Sequence, residues 1–144
     1  MNDQNAPQTP PPPPGQRPPA VGQTSTGLDP KLAGLLCYIL GIITGLIFFL
    51  IEKSNDVVRF HAAQSILFSG AMIVLWIVLM ILQFVVMAIS FSLGSIFSLL
   101  TMLLGLGVFI VWVVLLIKGY SGTKWKLPVL GDMAEKMSSG QRAA

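Results

Sequence analysis

From Leu32 to Ile51 the chain runs through twenty residues without a charge, and from Ala62 to Ile117 through fifty-six. In helical form the first stretch is about 30 Å long, the thickness of a bilayer's hydrocarbon core. The second would be about 84 Å as one helix, too long for one crossing. Its weakest part lies between Ser90 and Ser98, where Ser90, Ser92, Gly94, Ser95 and Ser98 interrupt the apolar run. The pattern predicts three membrane helices, TM1 near 32–51, TM2 near 62–87 and TM3 near 97–117, with an uncharged connection between the last two that dips into the interface. Asp29-Pro30 opens the first helix, since Asp accepts first-turn N–H groups and Pro suits the first helical position. The polar run Glu52 to Asp56 is a turn, and Ser54, Asn55 and Asp56 are all good caps for the next helix.

The fold class that follows is an all-α integral membrane protein, a three-transmembrane-helix bundle behind a disordered Pro-rich tail. Residues 1–28 form that tail, 29–137 the helical membrane domain with an interfacial segment at 118–137, and 138–144 a disordered end. Eight of the ten prolines fall in the first 19 residues, so the tail reads as polyproline II and cannot bury a core. No apolar region of signal-peptide type occurs in the first 25 residues.

Composition sharpens the class. Only 10% of residues are charged and the mean hydropathy is +0.76, whereas soluble domains carry roughly 25% charge. One cysteine excludes a secreted disulfide scaffold. The pI of 9.3 does not point to nucleic acid, because the basic residues are sparse and flank apolar runs. Lys118, Tyr120, Lys124, Trp125 and Lys126 instead form an aromatic and basic belt at a membrane interface. With three crossings, Lys53, Arg59, Lys118, Lys124 and Lys126 share one side, against Arg17 and Lys31 on the other. The positive-inside rule then expects a cell-membrane protein with the first loop and C-tail cytoplasmic and the N-tail outside, the alternative being a re-entrant hairpin in place of TM1, which its glycines permit and which keeps the tail cytoplasmic.

Two stripes of small residues suit close helix packing. Gly34, Cys37, Gly41 and Gly45 recur at steps of three and four, and Gly94, Ser98, Thr101 and Gly105 repeat the spacing. They fit packing within the chain or onto a second copy. A polar stripe lies at the start of the second membrane helix, where His61, Gln64, Ser65 and Ser69 share a face next to Arg59, and Gln83 sits nearer the other end. Polar groups facing lipid tails are costly, so this face should look into the bundle or a wet vestibule. It reads as interhelical hydrogen bonding or as a polar interaction face.

Catalysis finds little support. His61 and Ser65 are four apart on a helix, but the residues offer no orienting third group or oxyanion hole. One His, one Cys and scattered acids do not make a metal-ligand set. No phosphate loop or dinucleotide fingerprint is present. The expectation is a non-enzyme with no cofactor, metal, nucleic acid or small-molecule substrate, whose partners are the lipid bilayer and itself or another membrane protein.

Val58-Arg59-Phe60-His61-Ala62-Ala63-Gln64-Ser65 resembles the hallmark of a family of small bacterial and archaeal membrane proteins of unknown function. Leu36 to Gly41 with Gly45, the Ile51-Glu52-Lys53 turn and Lys126 to Asp132 resemble the same family. That family looks related to the Tic import component of the chloroplast inner envelope, whose members are associated with protein translocation. The resemblance covers about residues 30–137 and implies a helical bundle in which His61 and Gln64 matter. It brings no reaction. Three roles follow as expectations: helix-helix association within a membrane assembly, an oligomeric channel or translocation component with His61 at its mouth, and a lipid-responsive anchor built on Lys118, Lys124, Trp125 and Lys126.

Overall fold

A computed structural model describes residues 23–140 as five helices: α1 (Pro30–Ile39), α2 (Ile42–Ile51), α3 (Asp56–Ile89), α4 (Phe91–Tyr120) and α5 (Leu130–Gly140). The expectations for 1–22 and 141–144 lie outside the described residues. Among those described, two helices, α3 and α4, are long and apolar enough to cross a membrane.

The stretch expected to form one spanning helix at 32–51 is broken. It forms two helices of ten residues each, about 15 Å apiece and half a hydrocarbon thickness. The break is at Gly41, whose φ of 59° and ψ of −118° lie in the half of backbone space that glycine enters without steric penalty. Thr44 lies one turn into α2. Its hydroxyl accepts from Leu40 N at 3.3 Å and donates to the Cys37 carbonyl at 3.2 Å, satisfying backbone groups that the break frees. The pair folds back as a hairpin, so Ser25, ahead of α1, meets Glu52, after α2. This corrects the arrangement with the N-tail opposite the first loop, because both ends of the hairpin lie at one end of the molecule.

Asn55 starts α3 by accepting from Val57 N and Val58 N at 3.0 and 3.1 Å. The long connection expected near Ser90–Ser98 shrinks to Ser90 alone, which is at once the C-cap of α3 and the N-cap of α4. Serines weaken an apolar run, but one of them suffices for the return, because the Ser90 side chain accepts from Leu93 N and so starts α4. Gly94 permits the sharp return, since a Cβ there would lie 2.5 Å from Met87 Sδ.

The chain's core sits at one end, called the base here. Tyr38, Phe60, Leu115 and the start of α3 from Val58 to Ser65 are buried there. α1 crosses the end of α4 where Gly34 and Gly119 touch backbone to backbone, an approach that any side chain would block. Trp112 Nε1 donates to the Tyr38 carbonyl at 3.0 Å. α5 packs Gly131, Ala134 and Ser138 inward, and its contacts are with α3. A few residues of each expected disordered end are placed: Thr24 bonds the Leu28 carbonyl, Ser25 bonds Glu52, and Ser138–Gly140 close α5.

Candidate functional site: a buried polar knot at the base of α3

The start of α3 carries its polar residues into the chain. His61 is 1% exposed. Its Nε2 lies 3.0 Å from the Thr123 carbonyl, and its Nδ1 lies 3.2 Å from the Tyr38 hydroxyl. A carbonyl only accepts, so Nε2 carries the proton and Nδ1 accepts from Tyr38. One imidazole thus ties α1, α3 and the segment after α4 together. Ser65 lies 2.6 Å from the Cys37 carbonyl and 3.0 Å from that of Gly41, and its single hydroxyl proton serves the turn between α1 and α2. Ser65 and His61 are thus directed at different partners, and both His61 nitrogens are engaged.

Arg59 is 5% exposed, with its guanidinium over the Phe49 ring at 5.7 Å, an arrangement that the ring's quadrupole favours. Gln64 is fully buried and neither end of its amide finds a partner among the described residues. Ser69 is half-buried and presses on Gly41, where a Cβ would lie 2.7 Å from its Oγ. Gln83 stands apart, far along α3, donating to the Gly94 carbonyl at 3.2 Å while its Oε1 is buried with no partner among the described residues.

Below this knot lies a second one that sequence reasoning missed. Glu52 is fully buried and accepts from Ser25 N, Ser54 N and Asn55 N, each at 2.9 Å, and from the Ser25 hydroxyl at 3.0 Å. Burial works to raise its carboxyl, but the donors from Ser25, Asn55 and Ser54 together hold it below the usual carboxylate range. The available signal was an acid directly after an apolar run, in a turn with three capping residue types. Tyr38, Thr123 and Gly119 were likewise not singled out.

The packing residues divide. Gly34 meets Gly119, and a Cβ on Gly45 would lie 3.1–3.2 Å from Ala62, Ser65 and Ile66 of α3. Gly41 serves the turn. Gly94 and Gly105 face Met87 and Trp76 of α3, so part of the α4 stripe is used inside the chain. Ser98 and Thr101 line a notch with Gln83. At the interface, Lys118 stands 5.9 Å over Trp125, Lys126 pairs with Asp132 at 3.2 Å and with Glu135, Lys124 lines a small cleft with Asp56 and Glu135, and Tyr120 is exposed.

Comparisons with known proteins locate the chain in its family. Residues 26–134 match the magnetosome magnetite crystal formation protein family. A UPF0132 membrane protein of Methanocaldococcus jannaschii is 42% identical over 118 residues, which cover 82% of this chain and 96% of the relative. A UPF0132 membrane protein of Archaeoglobus fulgidus is 42% identical over 111 residues, covering 76% of this chain and 96% of the relative. Neither the family description nor these names mention protein import, and no solved structure matches. The match runs from ahead of α1 into α5 and covers two relatives almost end to end, so the chain belongs to the UPF0132 and MamF/MmsF family of membrane proteins.

Proposed function

We propose that the protein is a non-enzymatic, multi-pass component of the cell membrane that acts by associating through its helices within a membrane assembly. The observation that supports this reading is the uncovered length of the α3–α4 hairpin. Between Ser69 and Val114 only Gly94 is buried. In a bilayer lipid covers such a surface, and it is also the area that a neighbouring helix can pack against through small and polar side chains. In the same reading α3 and α4 cross the bilayer, while α1–α2 enters half-way and returns. The base then lies on the cytoplasmic side with both tails, in keeping with Lys31, Lys53, Arg59, Lys118, Lys124 and Lys126 at that end and no charge from Ala62 to Ile117.

The family's description refers to magnetite crystal formation, but four acids among the described residues are engaged in structural roles. Asp29 caps α1, Glu52 holds the turn, and Asp132 and Glu135 pair with Lys126. No iron-binding role is proposed. Nor does an observation favour the translocation reading, which required His61 at an open mouth.

Two experiments test the proposal. Native membranes solubilised in mild detergent should yield the protein in a complex larger than one chain, and a lone monomer overturns the association reading. For topology, Thr26→Cys and Ser92→Cys in intact cells should differ towards a membrane-impermeant thiol reagent, with only position 92 labelled from outside. Labelling at 26 with protection at 92 overturns the orientation.

A further inference from the structure

The start of α1 and the end of α4 meet at the base, and their meeting gathers two lysines that are far apart in sequence. Gly34 and Gly119 touch backbone to backbone. Lys31 lies one turn before Gly34, and Lys118 is next to Gly119. A Cβ on Gly122, one turn beyond Lys118, would lie 3.6 Å from Lys31 Cγ, so the Lys31 stem runs along the turn that follows Lys118. Each lysine also stands at the edge of a charge-free run. Leu32 opens the run to Ile51, and Ile117 closes the run from Ala62. The glycine contact therefore sets both lysines at one level, where hydrocarbon gives way to headgroups.

The other lysines of this region have acids beside them. Lys126 pairs with Asp132 and Glu135, and Lys124 lines a cleft with Asp56 and Glu135. Among the described residues Lys31 and Lys118 make no ion pair. The Asp29 carboxylate, two residues before Lys31, accepts from the Lys31 backbone N–H at 2.8 Å. Lys118 rests over the Trp125 ring at 5.9 Å, a contact that favours the ammonium group without neutralising it. Leu28, Leu32 and Ile117 are exposed beside the two cations. Two ammonium groups edged by apolar side chains at the hydrocarbon boundary complement an anionic lipid in both of its parts, phosphate and acyl chain.

We infer that Lys31 and Lys118 form a binding site for the phosphate of one anionic phospholipid. The sequence pattern pointed to Lys118, Lys124, Trp125 and Lys126 as a lipid-responsive anchor. The fold turns Lys124 and Lys126 towards acids of α3 and α5 and supplies Lys31 in their place. The site rests on the crossing of α3 and α4 proposed above and is independent of the association reading.

The test adds phosphatidylglycerol or phosphatidylcholine to full-length protein in mild detergent and counts the retained lipids by native mass spectrometry. Wild type should keep one phosphatidylglycerol in preference to phosphatidylcholine. Lys31→Gln and Lys118→Gln should each weaken that binding about fivefold, the effect of one lysine at an anionic surface. Lys118→Arg should retain the lipid, and so should Lys136→Gln, which removes an exposed lysine of α5. Unchanged melting temperatures in detergent verify that the variants keep the fold. Equal retention of the two lipids by wild type overturns the inference. So does a loss that Lys136→Gln causes as readily as Lys118→Gln, because attraction to net charge alone then suffices. Displacement of phosphatidylglycerol by millimolar inorganic phosphate overturns the lipid assignment. A monomer that retains the lipid ends the association reading and leaves this one standing, whereas a complex without lipid preference does the reverse.

Discussion

Phe60 and Phe84 lie on the same helix, 24 residues apart, in opposite surroundings. Phe60 is fully buried at the base, between His61 and the packed helices, whereas Phe84 is 71% exposed near the far end of the hairpin. The base behaves like a small soluble core, in which polar groups are buried and most are bonded, the Gln64 amide excepted. The hairpin beyond it inverts that rule, with apolar groups outward and almost nothing buried. The difference shows that stability of the chain and contact with its surroundings are assigned to separate halves. The turn of α1–α2 at Gly41 lies against Ser69, short of the middle of α3, so the pair can bury only the part before it.

The largest effect should come from the two phenylalanines themselves. Phe60→Ala should lower stability by about 3–5 kcal/mol, and Phe84→Ala should change it by less than about 0.5 kcal/mol, read as thermal unfolding of the monomer in mild detergent. Equal effects would erase the contrast between the halves. Gly34→Leu should follow, at about 3 kcal/mol or more, because the obstacle is the Gly119 backbone, which cannot rotate away. Gly105→Ala should cost far less by the same measurement, since it meets a Trp76 ring carbon at 3.3 Å and a side chain can shift.

Smaller effects probe the two polar knots. His61→Ala leaves the Thr123 carbonyl and the Tyr38 hydroxyl without their partner and should cost about 1–3 kcal/mol. Tyr38→Phe should cost less, because it removes one bond and leaves only Nδ1 unpaired. Glu52→Gln should be the mildest in neutral solution, about 1–2 kcal/mol, as charge-assisted bonds become neutral ones. Its signature is in pH. The folded state holds the Glu52 carboxyl low, so its contribution is complete above the carboxyl's unfolded value and fades as pH falls through the lower folded one. Wild-type melting temperature should drop on acidification below the ordinary carboxylate range, and the part due to Glu52 should be absent from the Gln variant.

The family resemblance was legible in Val58 to Ser65, and so was the inward direction of that polar face, because a stripe of His, Gln and Ser cannot face lipid cheaply. Its partners were not legible. Tyr38 lies 23 residues before His61 and Thr123 lies 62 after it, and no local spacing links them. Gly41 and Gly45 fit a packing motif by spacing, yet Gly41 is the turn and Gly45 the contact. Spacing records that glycines are present, whereas a positive φ is a property of the folded backbone. Ser90 to Ser98 misled because five small polar residues look like a loop, whereas Ser90 alone ends one helix and caps the next.

The amino-acid sequence by itself determined that this chain is helical and membrane-embedded, because charge-free length and the need to satisfy backbone groups admit few other structures. It also determined the capping sites at Asp29 and Asn55, which depend on neighbours two or three residues away. Only the tertiary structure decided that the first apolar stretch turns back at Gly41. The choice between one straight helix and two short ones rests on what lies beside residue 41, and that is Ser69 and the turn's own Thr44. It also decided that Gly34 meets Gly119 and that Ser25 closes onto Glu52, contacts between residues far apart in sequence that form when the helices pack.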